Sequence, residues 1–254
     1  MRRLLLLLLF LPLSAFAVDD DLILLGVGVR SRPEFDGSNK RTTELIPVVR
    51  YYGKTLFART TQGILEGGAR LEINHDFHLG AQLAYEAGRK SSEAEFLASR
   101  NVPDINPGAS AGVHAEWDYH IGPVPTTLLA RVRQFVDTDR GTQADLRFTA
   151  GVFGAGAVSA GVFIQGTWAD SRSNQSFYGI TPDVAASTGL PVYTPGGGLL
   201  YTTGGLLWGV DLSKSWIVIG NLEARLLHGA AAGSPLVERS TSRYASASLA
   251  YRWY

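Results

Sequence analysis

The sequence predicts an all-β fold: a transmembrane, antiparallel, up-and-down β-barrel of about twelve strands around a charged, largely occluded lumen. Ten strands is the alternative count. Three observations predict this fold. The chain begins with an export signal. The remainder alternates apolar and polar residues with period two, and the charges keep to one parity. Short connections alternate with long ones, which is the asymmetry of barrels that cross a Gram-negative outer membrane.

The signal comes first. Arg2 and Arg3 precede an apolar run from Leu4 to Leu13, and Ala15-Phe16-Ala17 offers small residues at the −3 and −1 positions of a cleavage site. The run is too short for the roughly 20 residues of a spanning helix. Residues 1–17 are therefore expected to be removed, leaving residues 18–254 as one barrel exported through the periplasm. Lysine plus arginine equal aspartate plus glutamate at 23 each, so no basic surplus points to a nucleic-acid partner. The chain has no cysteine, which excludes disulfides, zinc–thiolate sites, thiol catalysis and a lipid anchor on cysteine. No cofactor or metal is expected.

Strands are expected at about 22–30, 43–52, 55–62, 64–73, 77–87, 109–120, 124–137, 143–154, 159–170, 198–211, 215–227 and 243–254. The alternation is clearest in the sixth. There Ser110, Gly112, His114, Glu116, Asp118 and His120 oppose Ala111, Val113, Ala115, Trp117 and Tyr119. The pair 55–62 and 64–73 is the one that could merge. Long links at 31–42, 88–108, 171–197 and 228–242 read as surface loops, and the turns between them read as periplasmic.

A soluble barrel puts its apolar parity inside, whereas a membrane barrel turns it toward lipid. Tyr51, Trp117, Tyr119, Trp216 and Trp253 share the apolar parity near the short turns, and Tyr85 and Trp168 lie near the other rim. Two such girdles suit the amphipathic rings of tyrosine and tryptophan at a membrane interface. The ending Leu249-Ala-Tyr251-Arg-Trp253-Tyr254 alternates toward a terminal aromatic, the signal that barrel-assembly machinery reads. Lipid and lipopolysaccharide are thus expected neighbours of a monomeric barrel.

The inward parity then carries eight acids, Glu44, Glu66, Glu72, Glu86, Glu116, Asp118, Asp145 and Glu223. Against them stand eight arginines, Arg50, Arg59, Arg70, Arg131, Arg133, Arg147, Arg225 and Arg252. Equal numbers predict a cross-linked interior more than a charge-selective pore, since the guanidinium fork suits paired carboxylates. A narrow conducting path is the alternative. Catalysis has little support. His78, His114 and His120 share the inward parity, with His114 and His120 toward the periplasmic end, His75 lies in a turn, and a loop pair of His228 and Ser234 lacks an orienting acid. Gly88-Arg89-Lys90 reads as a solvated loop tip, with contact to lipopolysaccharide phosphates as the other reading.

Particular residues carry a family likeness. These are Gly26-Val-Gly28-Val, then Pro33-Glu-Phe-Asp-Gly37-Ser38, then Ile46-Pro47-Val-Val. Thr167-Trp168-Ala-Asp170 follows, with Ser176-Phe-Tyr178-Gly179-Ile-Thr181 and Ser187-Thr-Gly-Leu190. Gly233-Ser234-Pro235-Leu-Val237 and Tyr251-Arg-Trp253 come last. In this order the chain resembles the MltA-interacting protein (MipA/OmpV) family of outer-membrane proteins over nearly all of residues 18–254. Phe35, where the pattern expects tyrosine, and the extra Tyr254 depart from it. The resemblance implies a scaffold between a murein hydrolase (a lytic transglycosylase) and a penicillin-binding peptidoglycan synthase. Other relatives are linked to adhesion or to antibiotic response, and no catalytic residue is carried over.

Overall fold

A computed structural model describes residues 22–61, 63–86 and 88–253, so the expected signal peptide and Tyr254 lie outside the described residues. Twelve strands form: β1 (Leu22–Pro33), β2 (Arg41–Tyr52), β3 (Leu56–Thr61), β4 (Ile64–Asn74), β5 (Phe77–Glu86) and β6 (Gly108–Ile121). Then follow β7 (Val124–Phe135), β8 (Thr142–Ala155), β9 (Val158–Ala169), β10 (Gly198–Asp211), β11 (Trp216–Leu227) and β12 (Thr241–Trp253). Each pairs antiparallel with its chain neighbours, and β12 returns to β1 to close the barrel. The third and fourth strands are separate, joined at Gly63 (φ +83°), where glycine supplies the left-handed turn.

The two faces sort as the alternation requires. Leu25, Val27, Val29, Leu71, Leu79, Val113 and Trp117 are exposed on the outside, whereas Glu66 (1 % exposed), Thr167 and Arg133 are buried within. Water would reverse this arrangement; only an apolar solvent around the wall favours it. Trp117 meets Tyr119 in a tilted pair, and Tyr251 meets Trp216 and Trp253 edge to face, at the end where the described residues begin and finish and the short turns lie, here the turn end.

The opposite end differs from expectation. The long connections 34–40, 88–107, 170–197 and 228–240 are not open loops but fold together as a lid. It contains four α-helices, α1 (Glu95–Ala98), α2 (Ser171–Tyr178), α3 (Pro182–Thr188) and α4 (Gly229–Ala232). Every one of the four connections contributes to one small core, made of Phe35, Ala94, Leu97, Val102, Ile180 and Leu236. A second cluster ties Tyr178 and Ala231 to Leu200, Tyr201 and Leu227 at the barrel mouth. Local sequence supports the helices: Asp170 accepts a bond from Ser173 N at 2.7 Å to cap α2, and Thr181 with Pro182 starts α3, which ends at Gly189 with φ +71°. The apolar residues that join the lid are spread singly over distant segments, so no local periodicity could announce them.

β1 and β2 also run further than the sequence suggested, to Pro33 and from Arg41, because twelve residue pairs join them in one unbroken ladder. By contrast, β2 and β3 share only three pairs, Arg50–Arg59 to Tyr52–Phe57. Above them Val49 N donates to the Thr60 hydroxyl at 3.3 Å, a side chain in place of a backbone partner.

Candidate functional site: the lidded lumen

Cross-strand register brings the interior charges together. Arg59 of β3 lies opposite Glu66 of β4, and Arg131 of β7 lies opposite Asp145 of β8. The Arg59 Nε–Glu66 pair continues through Glu66 Oε2, which accepts from Arg131 Nη1 at 2.7 Å and from Gln82 at 3.0 Å. Arg131 Nη2 reaches Asp145 at 2.8 Å, and Arg133 links Asp145 at 3.4 Å to Glu86 at 2.9 Å. Thr167 and Gln165 donate to the other Asp145 oxygen at 2.7 and 3.2 Å. β4 and β7 are not neighbours in the wall, so the Glu66–Arg131 bridge crosses the lumen itself.

The remaining predicted charges divide by position. Glu116 approaches Arg59 at 3.5 Å and joins the central network. Arg225 meets Asp36 of the lid at 2.7 Å, and the Tyr244 hydroxyl donates to the same carboxylate, so the lid is pinned into the barrel. Burial raises the Asp36 carboxyl, but Arg225, Tyr244 and Arg30 together hold it below the usual range. Glu44 pairs with Arg32 at 2.9 Å and approaches Arg30 at 3.9 Å. Glu223 accepts from Asn221, and Arg147 lies over the Phe163 ring at 3.8 Å. Arg70 donates to Gly53 O at 3.0 Å, Asp118 accepts from Thr127 at 2.6 Å, and Arg252 meets Asp211 at 2.8 Å. Arg50 and Glu72 are exposed, toward the turn end.

Several sequence readings need correction. The inward charges are not balanced: Arg30 and Arg32 of β1 also face inward, opposite Glu44 and Thr42. Arg32 lies beyond residue 30, where β1 was expected to stop, whereas Arg30 falls on the inward parity of the expected strand itself. Arg89 is no solvated tip; its Nη1 donates to Phe177 O at 3.0 Å inside the lid, and burial pushes its guanidinium below the ordinary value despite Tyr178 and Asp104. His114 is buried in mid-barrel opposite Arg131, away from the turn end. His228 meets Thr202 at 2.9 Å while the Ser234 hydroxyl donates to Tyr178 O at 2.6 Å, so they form no catalytic pair. Among the described residues, no group of three His, Cys, Asp or Glu could hold a metal ion.

The motif residues lie mainly in the lid. Gly37 has φ +109°, and its carbonyl accepts from Glu238 N and Arg239 N at 2.8 and 2.9 Å. Buried Ser38 donates its amide to Phe35 O at 2.9 Å just after Pro33 ends β1. Asp170 caps α2, Tyr178 ends it beneath the lid, and Gly179 follows as its C-cap. Ser234 begins the turn through Pro235, its hydroxyl also accepting from Leu236 N at 3.1 Å. Gly26 and Gly28 instead sit in β1 where a Cβ would strike Ala250 and Ser248. Pro47 faces out of β2, and Trp168, Tyr251 and Trp253 belong to the outer aromatics.

Two concavities stand out among the described residues. One, about 820 Å³, indents the exposed apolar face of the wall over Ala69, Ala81, Ala115, Ala130 and Ala144. The other, about 280 Å³, lies inside, roofed by Phe35, Arg89 and Tyr178 and floored by Arg131 and Arg133. The inner one has the chemistry to take a polar ligand.

Solved structures with this fold include an outer membrane channel from Pseudomonas putida F1. It is 10 % identical with TM-score 0.51, covering 93 % of this chain and 97 % of that one. The NanC porin is 8 % identical with TM-score 0.50, covering 91 % and 100 %. At such identity they establish the barrel and nothing finer. No curated protein sequence matches the chain. The model of the MltA-interacting protein MipA family matches residues 25–253, nearly the whole barrel and its lid, and the chain belongs to that family.

Proposed function

We propose that the protein is an integral outer-membrane barrel without catalytic activity that anchors a peptidoglycan-remodelling complex. Its turn end then faces the periplasm and its lid faces outward. One observation carries this reading: the lumen is crossed by the Glu66–Arg131 bridge and capped by the packed lid, which suits a plug better than a pore. The exposed apolar wall and turn-end aromatics favour residence in lipid. The family description, an MltA-interacting protein, favours a murein transglycosylase as the partner. That partner would read the aromatic rim and the turn tips, such as residues 212–215 with exposed Leu212.

Affinity capture from native envelopes with the full chain tests the proposal. Recovery of a murein hydrolase or synthase, lost when residues 212–215 and the other turn tips are exchanged, supports it. Repeated capture without either enzyme refutes it. Steady high conductance in planar bilayers would refute the plugged lumen separately.

A further inference from the structure

We propose that the chamber beneath the lid is a binding site for a phosphate- or carboxylate-bearing anion. The chamber is lined by eight basic side chains but only five carboxylates. Several of these charges are paired: Arg30 and Arg32 share the one carboxylate of Glu44, Arg225 meets Asp36, and Arg133 meets Glu86. Arg140 and Arg89 are not. Arg140 is 6 % exposed, and neither residue has a carboxylate within ion-pair distance among the described residues. Arg140 Nε and Nη2 and Arg89 Nε are buried without a hydrogen-bond partner. Glu34, whose Oε2 is also buried without a partner, and Glu93 line the chamber too, so Arg89, Arg140 and Lys90 stand against two carboxylates there.

Both guanidiniums contact Phe177. Arg140 lies over the rings of Phe135 and Phe177 at 5.0 and 5.5 Å, and Arg89 holds the Phe177 carbonyl. Ring faces steady a cation but leave its donors unused. A buried charge with free donors is costly unless something satisfies it, and a bidentate anion is the group whose geometry fits a guanidinium fork. The chamber, at about 280 Å³, accommodates a phosphate or the head of a larger molecule.

The wall gives this chamber a second approach. From Arg41 to Val48, β2 has no β3 partner, because the β3–β4 hairpin is too short to follow it. N–H groups facing one neighbour come from alternate residues of a strand. Val49 N points at Thr60, so the next such donor upward would belong to residue 47, and that residue is Pro47, which has none. Proline thus removes a donor that would otherwise face lipid unpaired. The hairpin tip (Thr61, Gly63, Ile64) and Glu44 across the gap all line the chamber. Arg30 stands behind the gap, its guanidinium where a Cβ of Gly63 would fall. The anion could therefore belong to a free solute or to an amphipathic lipid reaching in sideways from the lid-side leaflet.

Calorimetric titration of the full chain in neutral detergent with inorganic phosphate probes the first source. Native mass spectrometry with short-chain phosphatidic acid, against the matching diacylglycerol, probes the second. Binding of phosphate alone assigns the site to a solute. Retention of phosphatidic acid at least tenfold above diacylglycerol assigns it to a lipid. Either must fall at least tenfold in Arg140→Met and in Arg89→Met and partly recover in Arg140→Lys, with heat-modifiable gel migration showing every variant folded. No binding by the parent chain, or binding unchanged in both methionine variants, overturns the proposal. If both methionine variants fail to fold, Arg89→Lys and Arg140→Lys, which keep the charge but lose the fork, replace them, and unchanged affinity in both overturns it.

Discussion

Replacing Glu66 by glutamine keeps the shape of the side chain, removes its charge and turns one acceptor oxygen into a donor amide, so the loss it causes reads the ion pairs and hydrogen bonds of the lumen together. Glu66 is 1 % exposed and receives Arg59, Arg131, Gln82 and Thr61. Removing one member of a buried ion pair costs about 3–5 kcal/mol, chiefly because its partner is left charged and dry. Here neither arginine is wholly abandoned, since Arg59 retains Glu116 at 3.5 Å and Arg131 retains Asp145 at 2.8 Å. The low end, about 3 kcal/mol, is therefore expected. With a guanidinium slope of roughly 2–6 kcal/mol per molar, the unfolding midpoint should fall by about 0.5–1.5 M. The assay is reversible unfolding in lipid vesicles followed by tryptophan emission. Glu95→Gln, which breaks only the exposed pair with Lys40, serves as control and should leave the midpoint in place. A Glu66→Gln midpoint matching that control would refute a lumen held by its buried ion pairs.

The lid yields three more tests. Asp36 is held below its unfolded value near 3.9, so its contribution is complete above that pH and is lost as pH falls through the lower folded value. Pepsin cleavage of the lid should therefore rise only below about pH 4, and Asp36→Asn should remove that dependence. Gly37→Ala forces a side chain to φ +109° and against Val237 Cγ2 at 2.9 Å, a cost of about 1–3 kcal/mol. Hydrogen exchange at the Glu238 and Arg239 amides should accelerate accordingly, and unchanged protection would count against this role for the glycine. Ser234→Ala orphans the Tyr178 carbonyl and should destabilise the lid by about 1–3 kcal/mol, measured as faster exchange at the Leu236 amide.

The wall was legible because a strand writes its environment at every second residue. Glu66, Arg70 and Glu72 on one parity and Leu65, Ala69 and Leu71 on the other are enough to place six side chains. Even the short β3 was separable from β4, as Gly63 marks the turn. The partners across the lumen were not legible. Nothing local to Glu66 names Arg131, since their approach depends on how the barrel closes. Arg32 was not legible because strand ends blur where a ladder continues into polar sequence, whereas Arg30 already lay on the inward parity of the expected strand. Arg140 escaped because it lies in a short connection that reads as solvent, while Phe135 and Phe177, its ring neighbours, are far apart in the chain.

The lid also explains why the family likeness gathers where it does. An outward valine can become leucine without consequence, because lipid asks only for an apolar surface of suitable size. The lid is a miniature soluble core of single contributions from four segments, held by caps and backbone bonds that each admit few residue types. Asp170 must accept at a helix start, Gly37 must turn where other residues are strained, and Ser234 must both donate and accept within one turn. Asp36 then extends this core into the barrel through Arg225 and Tyr244. The wall can be satisfied by many sequences of the right pattern, whereas the lid needs particular residues at particular places. The motifs at 34–38, 176–181 and 233–237 are therefore statements about lid geometry, while Gly26 and Gly28 answer to the close approach of β12, and the chamber that the lid encloses inherits its shape from the lid residues.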